Sequence, residues 1–259
     1  MTGWLEPLHA ALDARSTPVW FFFRDDDAGW DDTALEALLD VFELYGQPLD
    51  VAAIPLAATS RTTKVIKARQ TSGRNDLRVH QHGLAHINHE PAGRKCEFGV
   101  SRSRDQQRDD ITSGRDVLRG LFGDVPAIFT PPWNRCAPWT GEVLRDLGFA
   151  VLSRDLSAGR AGVPGLAELP ISVDWFAKRK KVPIDRTGRG ELLAEIAVGP
   201  GPVGLMLHHQ VMSAQDRTEV GELLALVDAH PQASAAHLDR LAQSLVPRPT
   251  RRTSSARPI

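Results

Sequence analysis

Short apolar runs recur along this chain of 259 residues, with amphipathic segments between them. The runs occupy 19–23, 49–54, 77–80, 125–129, 149–152, 169–173 and 203–207. Each has the length and character of a buried strand. Between them, Leu35, Leu38, Leu39 and Phe42 recur at helical spacing ahead of Gly46, a natural helix stop. Ser103 and Gln106 have capping-box spacing before Ile111, Leu118 and Leu121. Leu144 before Gly148, Leu193 with Ile196, and Leu224 with Val227 mark three further helical faces. Strand–helix alternation of this kind predicts an α/β fold of about seven parallel strands with right-handed crossovers. The pattern runs to Val246 without a compositional break, so 1–246 reads as a single domain, long enough to curl into a distorted (β/α) barrel. Residues 247–259 are rich in Pro, Arg, Ser and Thr, have little to bury, and are expected to be disordered.

The formal net charge is −1, which gives no general attraction to nucleic acid or to a membrane surface. No apolar stretch approaches the roughly 20 residues a membrane-spanning helix needs. The N-terminal segment lacks the pattern of a secretory leader, so a cytoplasmic location is expected. The two cysteines, Cys96 and Cys136, form neither a disulfide framework nor a Cys-x-x-Cys zinc knuckle.

The polar residues that stand out lie where apolar runs end. The run 21–23 leads into Arg24, then Asp25, Asp26 and Asp27, then Gly29. Three adjacent carboxylates repel one another unless cations or protons relieve them. Asp31 or Asp32 could cap the next helix. The run 77–80 leads into His82 and His86, four residues apart, a spacing that sets two imidazoles on one side of a helical turn and suits a zinc site. His80 and His89 flank them. The run 125–129 leads into Thr130, two prolines, Trp133, Asn134 and Arg135, and the tryptophan offers a flat face for a sugar ring. The last two segments present Asp174 with Trp175, and His208 with His209.

Taken in order, these five segments resemble the polysaccharide deacetylase (NodB-homology) superfamily, as a divergent branch, from about Val19 to about His209. The resemblance implies a distorted barrel and a metal-dependent hydrolase that removes an N-acyl group, acetyl above all, from an amino sugar or glycan precursor. It implies Asp26 as general base, with Asp25 and Asp26 as the competing register for the aspartate pair. It implies Asp27, His82 and His86 as ligands of a divalent metal, zinc being the first choice, and His208 as general acid with Asp174 as its partner. Trp133, Asn134, Arg135, Trp175 and His209 are then candidate substrate contacts, His209 also being the second choice for the acid. One departure is that Thr130 occupies the place where the family often carries an arginine that tunes the base; Arg24 or Arg135 could substitute. The same site chemistry would also serve a non-sugar amide or ester, and a sugar-binding relative without catalysis is the alternative of another class.

Overall fold

The computed structural model describes residues 3–71, 76–179 and 181–245, so the 247–259 tail lies outside the described residues. A short α1 (Glu6–Asp13) precedes β1 (Val19–Ala28). There follow α2 (Asp32–Tyr45), β2 (Leu49–Ala53), α3 (Ser60–Thr71), β3 (Leu77–His82), α4 (Arg104–Phe122), β4 (Ile128–Thr130), α5 (Thr140–Asp146) and β5 (Val151–Leu152). The second half holds β6 (Ala167–Glu168), β7 (Val173–Asp174), a small hairpin of β8 (Lys178–Arg179) and β9 (Val182–Pro183), α6 (Arg186–Ala197), β10 (Val203–Leu207), α7 (Ala214–Ala229), β11 (Ala233–Ala235) and α8 (Leu238–Leu245).

The main sheet runs β6-β5-β4-β3-β2-β1-β10-β7, and β11 joins the start of β1. Every neighbouring pair is parallel. This is a single α/β domain whose sheet curls into an incomplete barrel, one strand longer than the seven expected. Strand β1 is its axis, and period-two alternation sorts its side chains. Phe21 and Phe23 face the helices and pack with Leu35, Leu38 and Phe42 of α2 and Val220, Leu223 and Leu224 of α7. Phe22 faces the other way, into a cluster with Ile128, Val151, Ile171 and Met206. By the same alternation Arg24 and Asp26 follow Phe22 inward, while Asp25 follows Phe23.

Local signals explain the helix ends. Asp31 caps α2 by accepting from the Ala34 N–H, and Gly46 ends it at φ +61°. The Ser103–Gln106 capping box closes reciprocally at the start of α4. Three helices have no counterpart in the sequence reading. Helix α3 buries only Thr62, Val65 and Ile66 and is otherwise polar, so its periodicity is faint. Helix α1 precedes the first strand and contributes Leu8 and Leu12 to the core. Helix α8 is held at its start by His237, whose Nδ1 lies 3.2 Å from Asp50 and Nε2 2.8 Å from Asp76.

Another difference concerns His82 and His86. No helical turn joins them: His82 ends β3, and His86 sits on the loop that follows. The pair meets because the chain reverses through Gly83 at φ +61°.

Strand β10 approaches Phe22 closely. Gly204 pairs with Phe22 in register, and a Cβ at Gly204 would lie 2.2 Å from the Phe22 ring. Gly204→Ala is therefore expected to overpack the sheet and destabilise the fold by about 1–3 kcal/mol. Urea unfolding followed by circular dichroism measures this; an unchanged midpoint would refute the tight contact.

Candidate metal centre

The three consecutive carboxylates at the end of β1 part company. Asp25 points to the helix layer and meets His209. The Asp25 carboxylate accepts from the His209 backbone N–H at 2.9 Å and from ring Nδ1 at 2.7 Å. The other ring nitrogen reaches the Trp30 carbonyl at 2.6 Å. Carbonyl and carboxylate oxygens can only accept, so both ring nitrogens must carry protons and His209 is an imidazolium. Burial works against that charge, but Asp25 outweighs it and raises the His209 pKa to about 9.

Asp26 points inward and is gripped by Arg24. Arg24 Nε donates to Oδ1 at 2.7 Å and Nη2 to Oδ2 at 2.9 Å. The remaining Arg24 donors reach the Ser153 hydroxyl at 2.8 Å, the Ser153 carbonyl at 3.1 Å and the Asn134 side-chain oxygen at 2.8 Å. All five guanidinium N–H groups are thus used, a fully satisfied buried fork.

Asp27 escapes the alternation. Its φ is +70°, and the register between β1 and β2 shifts between Asp25 and Ala28. This kink re-aims the carboxylate at the end of β3, as bulges beside sites commonly do. Asp27 Oδ1 lies 3.2 Å from His82 Nε2 and 3.2 Å from His86 Nε2. Oδ2 accepts from Gln210 Nε2 at 3.1 Å, and His208 Nε2 lies 3.9 Å away.

Several partners aim the two imidazoles. His82 Nδ1 donates to the Thr130 carbonyl at 3.1 Å, which leaves Nε2 as the free lone pair facing Asp27. The Thr130 hydroxyl meets His80 Nε2 at 2.9 Å, so the threonine steadies two histidines. His86 is packed between Trp30 and Trp133, with ring centroids 4.8 and 4.4 Å away. The loop carrying it wraps round buried Glu97, which accepts from the Leu84 and Ala85 N–H groups at 3.2 and 2.8 Å. A Cβ at Gly83 would sit 2.1 Å from that carboxylate, so only glycine fits. His86, Trp133 and Asn134 all have φ between +55° and +57°. Left-handed backbone at bulky residues is strained, and here it concentrates around one cluster.

Asp27, His82 and His86 offer ligand atoms all within 4.8 Å of one another. Asp27 Oδ1 is buried and has no hydrogen-bond partner. Burial opposes ionisation of Asp27, but the neighbouring His82, His86 and His208 imidazoles lower its pKa to about 2. Burial opposes protonation of His82, yet Asp27 and Asp26 raise it. Burial, with His82 next, lowers His86 to about 4. The cluster seeks one centre of positive charge between a carboxylate and two imidazoles, and a divalent cation fits that donor set.

A second group, His9, Asp13 and His230, lies at a cavity of about 650 Å3 between α1 and the end of α7. It does not fit a metal in the same way. His230 Nδ1 accepts the Gln232 backbone N–H at 3.1 Å, so neutral His230 carries its proton on Nε2, the nitrogen 3.2 Å from Asp13. A carbonyl beside Nδ1 frees Nε2 in His82, and an amide beside Nδ1 occupies it in His230.

The other residues singled out from the sequence fall in different places. Asp174 has no hydrogen bond to His208 among the described residues; its carboxylate accepts from the Phe176 N–H at 2.9 Å. Burial raises its pKa, and His208 acts on it through space. Trp175 and His209, expected as substrate contacts, are both buried. Trp175 is 1% exposed, donates to Asp216 at 3.1 Å and packs edge-on to Trp4. His209 is 0% exposed behind Asp25. Asn134 steadies Arg24 rather than facing solvent. Arg135 donates to the Lys95 carbonyl at 2.9 Å, and among the described residues the guanidinium that bonds Asp26 is that of Arg24. Trp30, Gln210, Ser153 and Glu97 had no signal as site residues. Arg24 had one, since i and i+2 on a strand share a face.

No family model matches the sequence, and no curated protein matches it. Solved structures do. A Mycobacterium smegmatis protein assigned as a polysaccharide deacetylase superposes with a TM-score of 0.67 at 18% identity, over 89% of this chain and 91% of its own. A family 4 acetyl xylan esterase from Clostridium thermocellum, in complex with a cobalt ion, gives 0.56 at 16% identity over 87% and 91%. A CE4-family pseudoenzyme from Bacillus anthracis gives 0.58 at 12% identity over 88% and 66%. The shared property at these identities is the fold.

Two outcomes follow. Asp27→Ala and His82→Ala are expected to lose bound metal by elemental analysis, whereas His9→Ala retains it; full occupancy in the first two would refute the assignment. The second concerns pH. His209 has a raised folded-state pKa, so its stabilisation is complete below about 6.5, its unfolded value, and is lost as pH rises through about 9. Unfolding free energy should therefore fall across that interval, and Asp25→Asn should flatten the slope.

Proposed function

We propose that this chain, which has the fold of the polysaccharide deacetylase superfamily, is a metal-dependent hydrolase that removes an N-acyl group, acetyl foremost, from an amino sugar. The observation that carries this reading is the convergence of Asp27, His82 and His86 at a buried, partnerless oxygen, with Asp26 and His208 beside it. A divalent ion held there, zinc by the mixture of imidazole and carboxylate, would polarise the acyl carbonyl and acidify a water molecule.

The chain's own groups divide the proton work. Asp26 receives the proton of the attacking water. Arg24 holds its carboxylate plane in place, and each oxygen keeps a second lone pair for the reaction. His208, partly exposed at the end of β10, donates a proton to the departing nitrogen, which is otherwise a poor leaving group. Asp174 lends His208 a nearby negative charge. Gln210 orients the second oxygen of Asp27. Trp30 and Trp133 wall the approach with half-buried aromatic faces suited to a sugar ring.

The arrangement has two separate carriers for the proton that leaves the water and the proton that reaches the amine, as amide hydrolysis near neutral pH requires. An ester has a better leaving group and depends less on the acid. His208→Ala is expected to retain metal but lose roughly 100-fold or more in kcat on an N-acetylated sugar, and much less on an acetate ester. Acetate release from both substrates by the metal-loaded protein is the assay. A wild-type protein that binds metal and sugar yet releases no acetate would refute hydrolysis and favour a binding role.

Replacing Arg24 by Met should strand Asp26 as a buried unpaired carboxylate. A loss of about 3–5 kcal/mol in unfolding free energy, together with loss of turnover, is the expected outcome.

A further inference from the structure

We propose that Arg94, Lys95 and Arg135 form an oxyanion-binding subsite beside the metal cluster, so that the amino sugar carries a phosphate or carboxylate group. This rests on the hydrolase reading and names the class of its substrate.

Lys95 and Arg135 come from two loops that meet beside Trp133, and Arg94 lies near enough for its charge to act on Arg135. Lys95 Nζ stands 5.9 Å from the centre of the Trp133 ring, whose own centre is 4.4 Å from that of His86. One aromatic ring therefore separates this ammonium from a proposed metal ligand. A cation over an indole face is favoured by the ring's quadrupole, which biases a flexible lysine toward one place. Arg135 directly follows Asn134, whose amide is held by buried Arg24. Arg135 Nη1 in turn donates to the Lys95 carbonyl at 2.9 Å, tying the 94–95 loop to the loop after β4. The cations are thus anchored, through two hydrogen bonds, to the residue that holds the general base.

These charges are not held in salt bridges. Partial burial and then the Arg94 charge push the Arg135 pKa below its ordinary value, against a weaker pull from Asp155. No carboxylate forms an ion pair with Arg94, Lys95 or Arg135 among the described residues. The nearby acids are engaged elsewhere: Glu90 accepts from the Ser101 N–H and hydroxyl, each at 3.0 Å, and Asp155 caps a 3-10 turn through the Ala158 N–H at 3.0 Å. Three cations outside any salt bridge, in a chain of net charge −1, crowd one another, and like charges gathered together are relieved by an arriving anion. Arginine forks suit the planar or tetrahedral oxygens of a carboxylate or phosphate. A sugar whose N-acyl group reached Asp27 past Trp133 would bring a ring substituent or its neighbouring unit toward Lys95, which stands beside that indole.

The test uses the full-length, metal-loaded protein. We compare kcat/KM for N-acetylglucosamine, N-acetylglucosamine 1-phosphate and N-acetylmuramic acid. At least one anionic sugar is expected to exceed the neutral one by roughly tenfold or more, as charge-assisted hydrogen bonds allow. The advantage should shrink as salt is raised. Which anion wins separates phosphate from carboxylate. Arg94→Ser/Lys95→Ser should bring the anionic-to-neutral ratio close to one, and Lys95→Glu should take it below one. Equal turnover of all three sugars by wild type, or a ratio that survives the double substitution, overturns the subsite. If no sugar is hydrolysed, the reaction has failed independently. Calorimetry with N-acetylglucosamine 1-phosphate then decides: salt-sensitive binding lost in the double variant supports the subsite, and no binding to wild type overturns it.

Discussion

Mutual repulsion among Asp25, Asp26 and Asp27 is the constraint around which this end of the molecule is built. Adjacent carboxylates at a strand end, all nearly buried, cannot remain ionised without compensation. Each finds its own positive partner in a separate direction. Asp25 turns outward to the His209 imidazolium, Asp26 inward to the Arg24 guanidinium, and Asp27 forward to His82 at the end of β3 and His86 on the loop beyond it. Strand alternation separates the first two. The third needs a kink, seen as the positive φ at Asp27.

That kink is one of several unfavourable conformations collected in a small volume. His86, Trp133 and Asn134 share it, and two loops with no regular structure have to be held against it. Glu97 does this for one loop through backbone N–H groups, and Asn134 for the other through Arg24. Such strain persists only where the surroundings over-determine it, and it clusters where side chains must converge. His209 adds a further tie. By donating to Asp25 and to the Trp30 carbonyl, it binds the end of β1, the start of the His208 loop and one wall of the cleft into a unit.

Much of this was legible in the sequence, though not always for the right reason. Alternating apolar runs and helical faces gave the α/β class, because burial periodicity survives without any knowledge of contacts. The spacing of His82 and His86 marked a pair that the structure brings together, through a glycine reversal rather than a helix. The burial of Trp175 and His209 was hidden because position at a strand end does not reveal direction. His208 and His209 are neighbours, and one faces the cleft while the other lies in the core. Helix α3 escaped notice because its apolar face is narrow. Gln210, Ser153 and Glu97 act through tertiary contacts between segments far apart in the chain, for which local pattern carries no information. The tautomers of His82 and His230 were equally hidden, since each depends on whether a backbone carbonyl or an amide lies beside Nδ1.

The placement of Arg24 two residues before Asp26 has a consequence for how such a site can change. A carboxylate and the guanidinium that steadies it sit on one strand and are inherited as a single short cassette. The turn following β4, relieved of supplying that charge, needs only a threonine carbonyl and an amide oxygen in set positions. Its outer residues are then free to diverge toward new ligands while the Arg24–Asp26 pair stays intact.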